Sequence, residues 1–222
     1  MIVHDVVQGS VPWHRCRAGI VTASELDKII SPLGKIRTGD TPDGYLARKL
    51  AERWLGRPVE SGSSWAMDQG SLREIDVIAQ LENHLNVDIE RPGFITTDDG
   101  GFGCSPDGLI GGECGVEAKC PQPENHMRHL IGGKVPTDYI MQVQGSMAVM
   151  GLDSWYFTSK CPDLPWFLLK VGRDEKLIAS ILDAVEQFNE RLGTEWDQLV
   201  KAHGEPKRSV PVVAMDDPES PF

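Results

Sequence analysis

Positive charge is what this chain has least of: 22 Lys and Arg stand against 33 Asp and Glu, for a net charge of −11. Affinity for a phosphate backbone comes largely from Lys and Arg, so this balance argues against simple nucleic-acid binding. No long uncharged apolar run is present, which excludes a spanning helix. The opening stretch MIVHDVVQGSVPWHRC lacks both the basic flank and the sustained apolar segment of a secretory signal, and a cytoplasmic location is expected. The five cysteines (Cys16, Cys104, Cys114, Cys120, Cys161) lack the C-x₂-C pairs of a structural zinc site and are expected to be free thiols. Three of them share one short stretch, where small buried strand residues explain them better than metal ligation. The six histidines show no i, i+4 metal spacing, only a looser His126/His129 pair, so none is assigned a role.

What is present fits a soluble globular protein: 40% apolar and 25% charged residues over 222 positions, long enough for one substantial core. We expect a single domain over residues 1–203 and a loosely ordered C-terminal tail over 204–222, where Pro and charge replace periodicity. Charge is uneven. Residues 1–60 hold nine Lys/Arg against seven Asp/Glu, so an acidic exterior with a locally basic groove is compatible with the composition.

Thr22-Ala23-Ser24-Glu25 has the pattern of a capping box and predicts a short helix over 22–31. Residues 43–55 repeat apolar positions at helical spacing and stop at Gly56 and Pro58. Ser71-Leu72-Arg73-Glu74 reads as a second capping box, opening a helix over 71–85 with Leu72, Ile75, Ile78, Leu81 and Leu85 on one side. Between 93 and 120 short β-prone runs broken by glycines predict a small antiparallel meander. A helix over 137–150 follows, then two strands, SWYFTS and WFLLKV, around a CPDLP turn. Residues 174–192 form the clearest amphipathic helix, ending before Gly193. This order indicates an α+β fold, a mixed β-sheet flanked by helices.

Chemistry concentrates near the meander. Asp107 lies in Ser105-Pro106-Asp107-Gly108, and Glu117-Ala118-Lys119 follows after Gly111 and Gly112. A hairpin brings the two together. Side chains two apart on a strand share a face, so Glu117 and Lys119 point toward Asp107 while Ala118 turns away. Phosphodiester cleavage uses such a set: hard oxygen ligands hold Mg²⁺, which polarises the phosphate and acidifies water. Lys119 can position or deprotonate that water or offset transition-state charge, and the Ala118 carbonyl is a further candidate ligand. Taken alone, a D-x₉-E-x-K string is more often a solvated strand face.

Taken in order, Trp13-His14 with Arg15-Cys16-Arg17-Ala18-Gly19, Ile20-Val21-Thr22-Ala23-Ser24-Glu25, Cys104-Ser105-Pro106-Asp107-Gly108, Glu117-Ala118-Lys119-Cys120-Pro121 and Gln142-Val143-Gln144 resemble the phage lambda-type exonuclease family, YqaJ-like viral recombinases of the PD-(D/E)XK nuclease superfamily. The resemblance covers nearly the whole chain. It implies a restriction-endonuclease-like core and a ring-shaped homotrimer that digests one strand of duplex DNA from a 5′ end, partnered by a single-strand annealing protein, in a phage or prophage setting. It implies two Mg²⁺ ions, with Mn²⁺ able to substitute, held by Asp107, Glu117, the Ala118 carbonyl and Glu74. Lys119 takes the catalytic lysine position, and Gln142 contacts the site through its amide. Arg17, Ser24 and Ser105 fall on positions that hold the terminal 5′ phosphate, with Trp13 beside them, although core packing is the preferred role for that indole. Ser24 in the first turn of a helix and Arg17 as a bidentate donor suit an anion on physical grounds as well. Glu74 has a competing role as the acid of the Ser71 capping box, and one conformer cannot fill both. Lys35 and Arg37, in a segment without a match, are candidate DNA contacts.

Two other readings compete: a PD-(D/E)XK endonuclease, which would cut closed circles, and a non-catalytic DNA-end-binding module, in which Asp107→Ala would leave function unchanged.

Overall fold

The computed structural model describes the backbone of residues 1–59 and 65–207, and their side chains except those of 65–72. Two mixed sheets carry the fold. The first has the strand order β1-β4-β5-β2, built from β1 (Ile2–His4), β4 (Phe94–Thr96), β5 (Phe102–Cys104) and β2 (Val21–Thr22), with β2 parallel to β5. The second has the order β3-β6-β7-β8-β9, from β3 (Ile89–Glu90), β6 (Gly108–Ile110), β7 (Cys114–Lys119), β8 (Ser154–Ser159) and β9 (Phe167–Gly172). Only the β7–β8 pair of this sheet is parallel, the crossover running through α4 (Pro123–Gly132) and α5 (Thr137–Met150). The expected single meander is therefore split. β4 and β5 form a hairpin in one sheet and β6 and β7 a hairpin in the other, because their outer partners come from distant parts of the chain.

The β6–β7 hairpin turns at Gly111 and Gly112, both at positive φ (57° and 74°), with Glu113 N–H donating to the Ile110 carbonyl at 3.1 Å. Positive φ at both central residues matches the twist of the flanking strands, and a side chain at either would be strained.

The remaining helices are α1 (Val11–Arg17), α2 (Asp40–Leu55), α3 (Trp65–Leu85) and α6 (Glu175–His203). α5 has the bounds expected of it, and α2 ends at the left-handed Gly56. α3 begins six residues before the expected cap, so Ser71 lies inside the helix and Glu74 has no capping role; Ile75 is exposed, while Val77, Ile78 and Leu81 are buried. The Thr22–Glu25 segment gives a six-residue 3₁₀ helix, Ala23–Lys28, whose Thr22 makes no side-chain cap bond. Glu25 is instead engaged by Arg48 and Lys49. α6 runs straight through Gly193, at which an added Cβ would meet open space, because its apolar face continues to Trp196, packed edge-on against Trp54. The tail expected over 204–222 falls, from 208 onward, outside the described residues.

The core lies between α5, α6, the 3₁₀ helix and both sheets, with Phe102, Met147, Trp155, Phe157 and Ile181 fully buried. A second cluster packs Val77, Ile78 and Leu81 of α3 on Val116 and Ala118 of β7. No helix among the described residues is long and apolar enough to cross a membrane.

Candidate active site

β7 sets the centre. Its even positions, Val116 and Ala118, lie in the apolar cluster under α3, while Glu117 and Lys119 share the opposite alternation and are drawn into a polar pocket. Asp107, just before β6, donates its N–H to the Val116 carbonyl (3.1 Å) and accepts the Ala118 N–H on Oδ2 (2.8 Å). In an extended residue N–H and C=O leave by the same edge, so the Ala118 carbonyl faces Asp107. Glu117 is fully buried; its Oε1 accepts from Lys119 Nζ and from Gln142 Nε2 of α5, both at 2.6 Å. Its Oε2 is buried with no hydrogen-bond partner among the described residues. Glu74, from α3, lies 3.8 Å from Lys119 Nζ.

Three carboxylates thus surround one ammonium. Burial, with Asp107 and Glu74 adding repulsion, pushes the Glu117 carboxyl up to about 8 against the pull of Lys119. Burial raises Glu74 as well, and Asp107 adds to it, while Lys119 and Arg91 oppose. Burial alone would lower the Lys119 pKa, but Glu117, Asp107 and Glu74 outweigh it and hold the amine protonated. No group of three or more acidic, His or Cys side chains among the described residues is already closed at metal-holding geometry. The fit rests on composition and on an orphan: three carboxyl groups against one ammonium, and an unpartnered buried Glu117 oxygen, are what a hard divalent cation would satisfy.

Two residues upstream lies the second feature. Ser105 Oγ accepts from Trp13 Nε1 (2.9 Å) and Arg17 Nη1 (3.2 Å), and Arg17 Nη2 donates to Ser24 Oγ (3.2 Å). The guanidinium sits 4.2 Å from the Trp13 ring centre and 5.6 Å from that of Phe94. Burial lowers the Arg17 pKa, Glu25 acting the other way at longer range, and no described carboxylate pairs with it. A partly buried cation met, among the described residues, by hydroxyls and ring faces has the chemistry to take an anion. Trp13 lies beside Arg17 and Ser105, its ring under the guanidinium and its Nε1 on Ser105 Oγ. Ser24 is held by close packing: a Cβ on Gly145 of α5 would come within 2.5 Å of Leu26 on the 3₁₀ helix. That helix has only six residues, so the helix-dipole reason for placing Ser24 here is weak.

Sequence reasoning missed Tyr139, whose ring centre lies 5.7 Å from Lys119 Nζ, and Gln8, whose amide holds the Pro92 and Pro106 carbonyls (both 2.8 Å) and so fixes the Ser105–Asp107 loop. Tyr139 sits three residues before Gln142, one helical turn, a signal that was available. Gln144, by contrast, faces away and clamps Gly172 and Asp174. His126 and His129 both hydrogen-bond Ser159 (2.8 and 2.9 Å), a buried structural link. All five cysteines are free.

Residues 12–153 match the YqaJ-like viral recombinase domain family. Among solved structures, the chain is similar to LHK-Exo in complex with dAMP (29% identity, TM-score 0.78, covering 87% of this chain and 97% of that one). It is equally similar to the alkaline exonuclease LHK-Exo from Laribacter hongkongensis (28%, 0.78, with the same coverage). A phage-related exonuclease from Haemophilus somnus 129PT shares the fold at 16% identity (TM-score 0.58, 82% and 96%). Curated protein sequences gave no match. The chain belongs to the YqaJ-like viral recombinase family, and its fold is that of the alkaline-exonuclease nucleases.

Proposed function

We propose that this chain, a nuclease of the YqaJ and alkaline-exonuclease type, is a Mg²⁺-dependent 5′→3′ exonuclease. It digests one strand of linear double-stranded DNA from a 5′-phosphorylated end, releases 5′-mononucleotides and leaves a 3′ overhang for strand annealing. The observation that carries this reading is adjacency: the Arg17–Ser24–Ser105 anion receptor and the Asp107–Glu117–Lys119 cluster are joined by Ser105-Pro106-Asp107, about the reach of one nucleotide. A terminal phosphate on Arg17 sets the next phosphodiester against the carboxylates.

Asp107, Glu117, the Ala118 carbonyl and Glu74 are the residues that would hold the cation, with Mg²⁺ preferred for an all-oxygen set and Mn²⁺ able to replace it. When bound, a divalent ion polarises the scissile phosphate and acidifies the attacking water. Lys119, kept as an ammonium by its three carboxylates, orients that water and offsets charge growing on the phosphate, and Gln142 holds Glu117 in place. The dAMP bound in LHK-Exo is a mononucleotide of the kind such a reaction releases. We further propose a ring-shaped homotrimer, which would gather few basic groups around DNA in a chain of net charge −11. A single-strand annealing partner, a bacterial cytoplasmic setting and a phage or prophage source complete the reading.

Linear duplexes labelled separately at each strand end, with 5′-phosphate or 5′-hydroxyl termini, and a closed circle test it directly. Release from the 5′ strand alone, faster with phosphate and absent on the circle, is expected. Cutting of the circle would make the chain an endonuclease, and no cutting in Mg²⁺ or Mn²⁺ would leave a DNA-end-binding module.

A further inference from the structure

Next to the catalytic cluster, a half-open cleft of about 250 Å³ is lined by Arg73, Asp76 and Gln80 of α3 and by Cys120, Pro121 and Lys160, and it shares no lining residue with the Arg17 pocket. It adjoins the centre through the chain itself, since Arg73 precedes Glu74 and Cys120 follows Lys119. Lys160 reaches across it to hydrogen-bond Gln80 Oε1, its ammonium 4.7 Å from the Trp166 ring centre. That indole is fixed by a 2.6 Å bond from Nε1 to Thr158 Oγ1. Neither Arg73 nor Lys160 is ion-paired with another described residue. Among the lining side chains, two cations stand against the single carboxylate of Asp76.

A strand whose terminal 5′ phosphate rests on Arg17 and whose next phosphodiester meets Asp107 and Glu117 continues past the centre toward its 3′ end, and the cleft adjoining Glu74 and Lys119 is within its reach. We propose that the Arg73–Lys160 cleft binds the sugar–phosphate backbone of the DNA strand on the 3′ side of the scissile bond. Lys160, tethered by the neutral Gln80 and backed by the Trp166 face, exchanges an amide partner for a phosphate oxygen, and Arg73 supplies a bidentate contact to the same stretch. The inference rests on the nuclease reading for its polarity, but the cleft's affinity for a phosphate backbone does not depend on cleavage.

The test is the salt dependence of binding to a 5′-phosphorylated fluorescent duplex with a single-stranded end, in EDTA, for the wild-type chain, Lys160→Gln, Arg73→Gln/Lys160→Gln, and Lys201→Gln on the far end of α6 as control. Each lost phosphate contact lowers the slope of log Kd against log salt by about 0.7–0.9, so the double variant should lose about 1.5, Lys160→Gln about half of that, and the control nothing. In Mg²⁺ the KM for DNA should rise about tenfold for the double variant. Titration with dAMP separates strand from released product: if the double variant weakens dAMP binding and leaves the DNA slope intact, the cleft is a product site and the proposal is overturned. An unchanged slope in a folded double variant overturns it while wild-type cleavage keeps the nuclease reading. A lowered slope in a chain that never cleaves upholds the cleft and removes the nuclease reading.

Discussion

Two buried charged clusters built from the same residue types sit in this molecule and behave oppositely. Near α2, Glu25 meets Arg48 on one oxygen and, on the other, Lys49 (3.1 Å), Thr22 (3.1 Å) and Tyr45 (3.1 Å), while Glu52 Oε2 takes Lys49 (3.0 Å) and the Gly19 N–H (2.8 Å). Two carboxylates face two cations, and although burial alone would raise it, the Glu25 carboxyl is held below its ordinary value by Lys49 and Arg48. Around β7, three carboxylates face one ammonium and the Glu117 carboxyl is pushed up instead. Both are legible as ion networks and each holds a buried unpartnered atom, Arg48 Nε in the first and Glu117 Oε2 in the second, but only the second has more carboxylates than cations. A balanced cluster fastens elements together; an unbalanced one stores electrostatic cost that a cation or a transition state can relieve.

The contrast can be broken first at the chemistry. Asp107→Asn and Lys119→Ala should each lower nucleotide release by about a thousandfold or more while circular dichroism stays native, since each removes a group acting on the reacting phosphate. Substitutions in the balanced cluster should do the reverse. Lys49→Met leaves Glu52 buried without its cation and should cost about 3 kcal/mol in denaturant unfolding. Glu117→Gln, which removes a buried like charge, should raise the melting temperature in EDTA while abolishing activity.

Arg17→Gln should reduce the preference for 5′-phosphate over 5′-hydroxyl ends by about tenfold or more, measured as a ratio of kcat/KM values, with a smaller effect on hydroxyl ends. The mildest effect concerns pH. Because the folded Glu117 pKa lies above its ordinary 4.5, the folded state binds its proton more tightly than the unfolded chain does. Without metal, its contribution to stability is present at acid pH and declines as pH rises from about 4.5 toward 8. Urea midpoints should follow that decline in the wild type and not in Glu117→Gln.

Much of the unbalanced cluster was readable because its logic is local. A hairpin with two glycines and alternation along β7 placed Asp107, Glu117 and Lys119 together, and the family resemblance added Gln142, which the structure brings to Glu117. α5, β8 and β9 were likewise written in short-range periodicity. What was illegible depends on distant partners. The Thr22–Glu25 pattern looked like a cap, but Arg48 and Lys49 of α2 claim Glu25, so the box never closes. Ser71 looked like a helix start because nothing in its neighbourhood reveals that α3 begins at Trp65. α1 and α4 are short, open with Pro near their first turns, and owe their helicity to tertiary contacts such as the His126 and His129 bonds to Ser159. The division of the meander between two sheets follows from β1 and β2, too short to be read as strands alone.

Calorimetric titration of Mg²⁺ into the metal-free chain and into Asp107→Asn at pH 8 tests most directly whether the charge imbalance around β7 is a cation site. The account predicts saturable binding to the wild type that is lost in the variant; equal heats in both would place the metal elsewhere and contradict it.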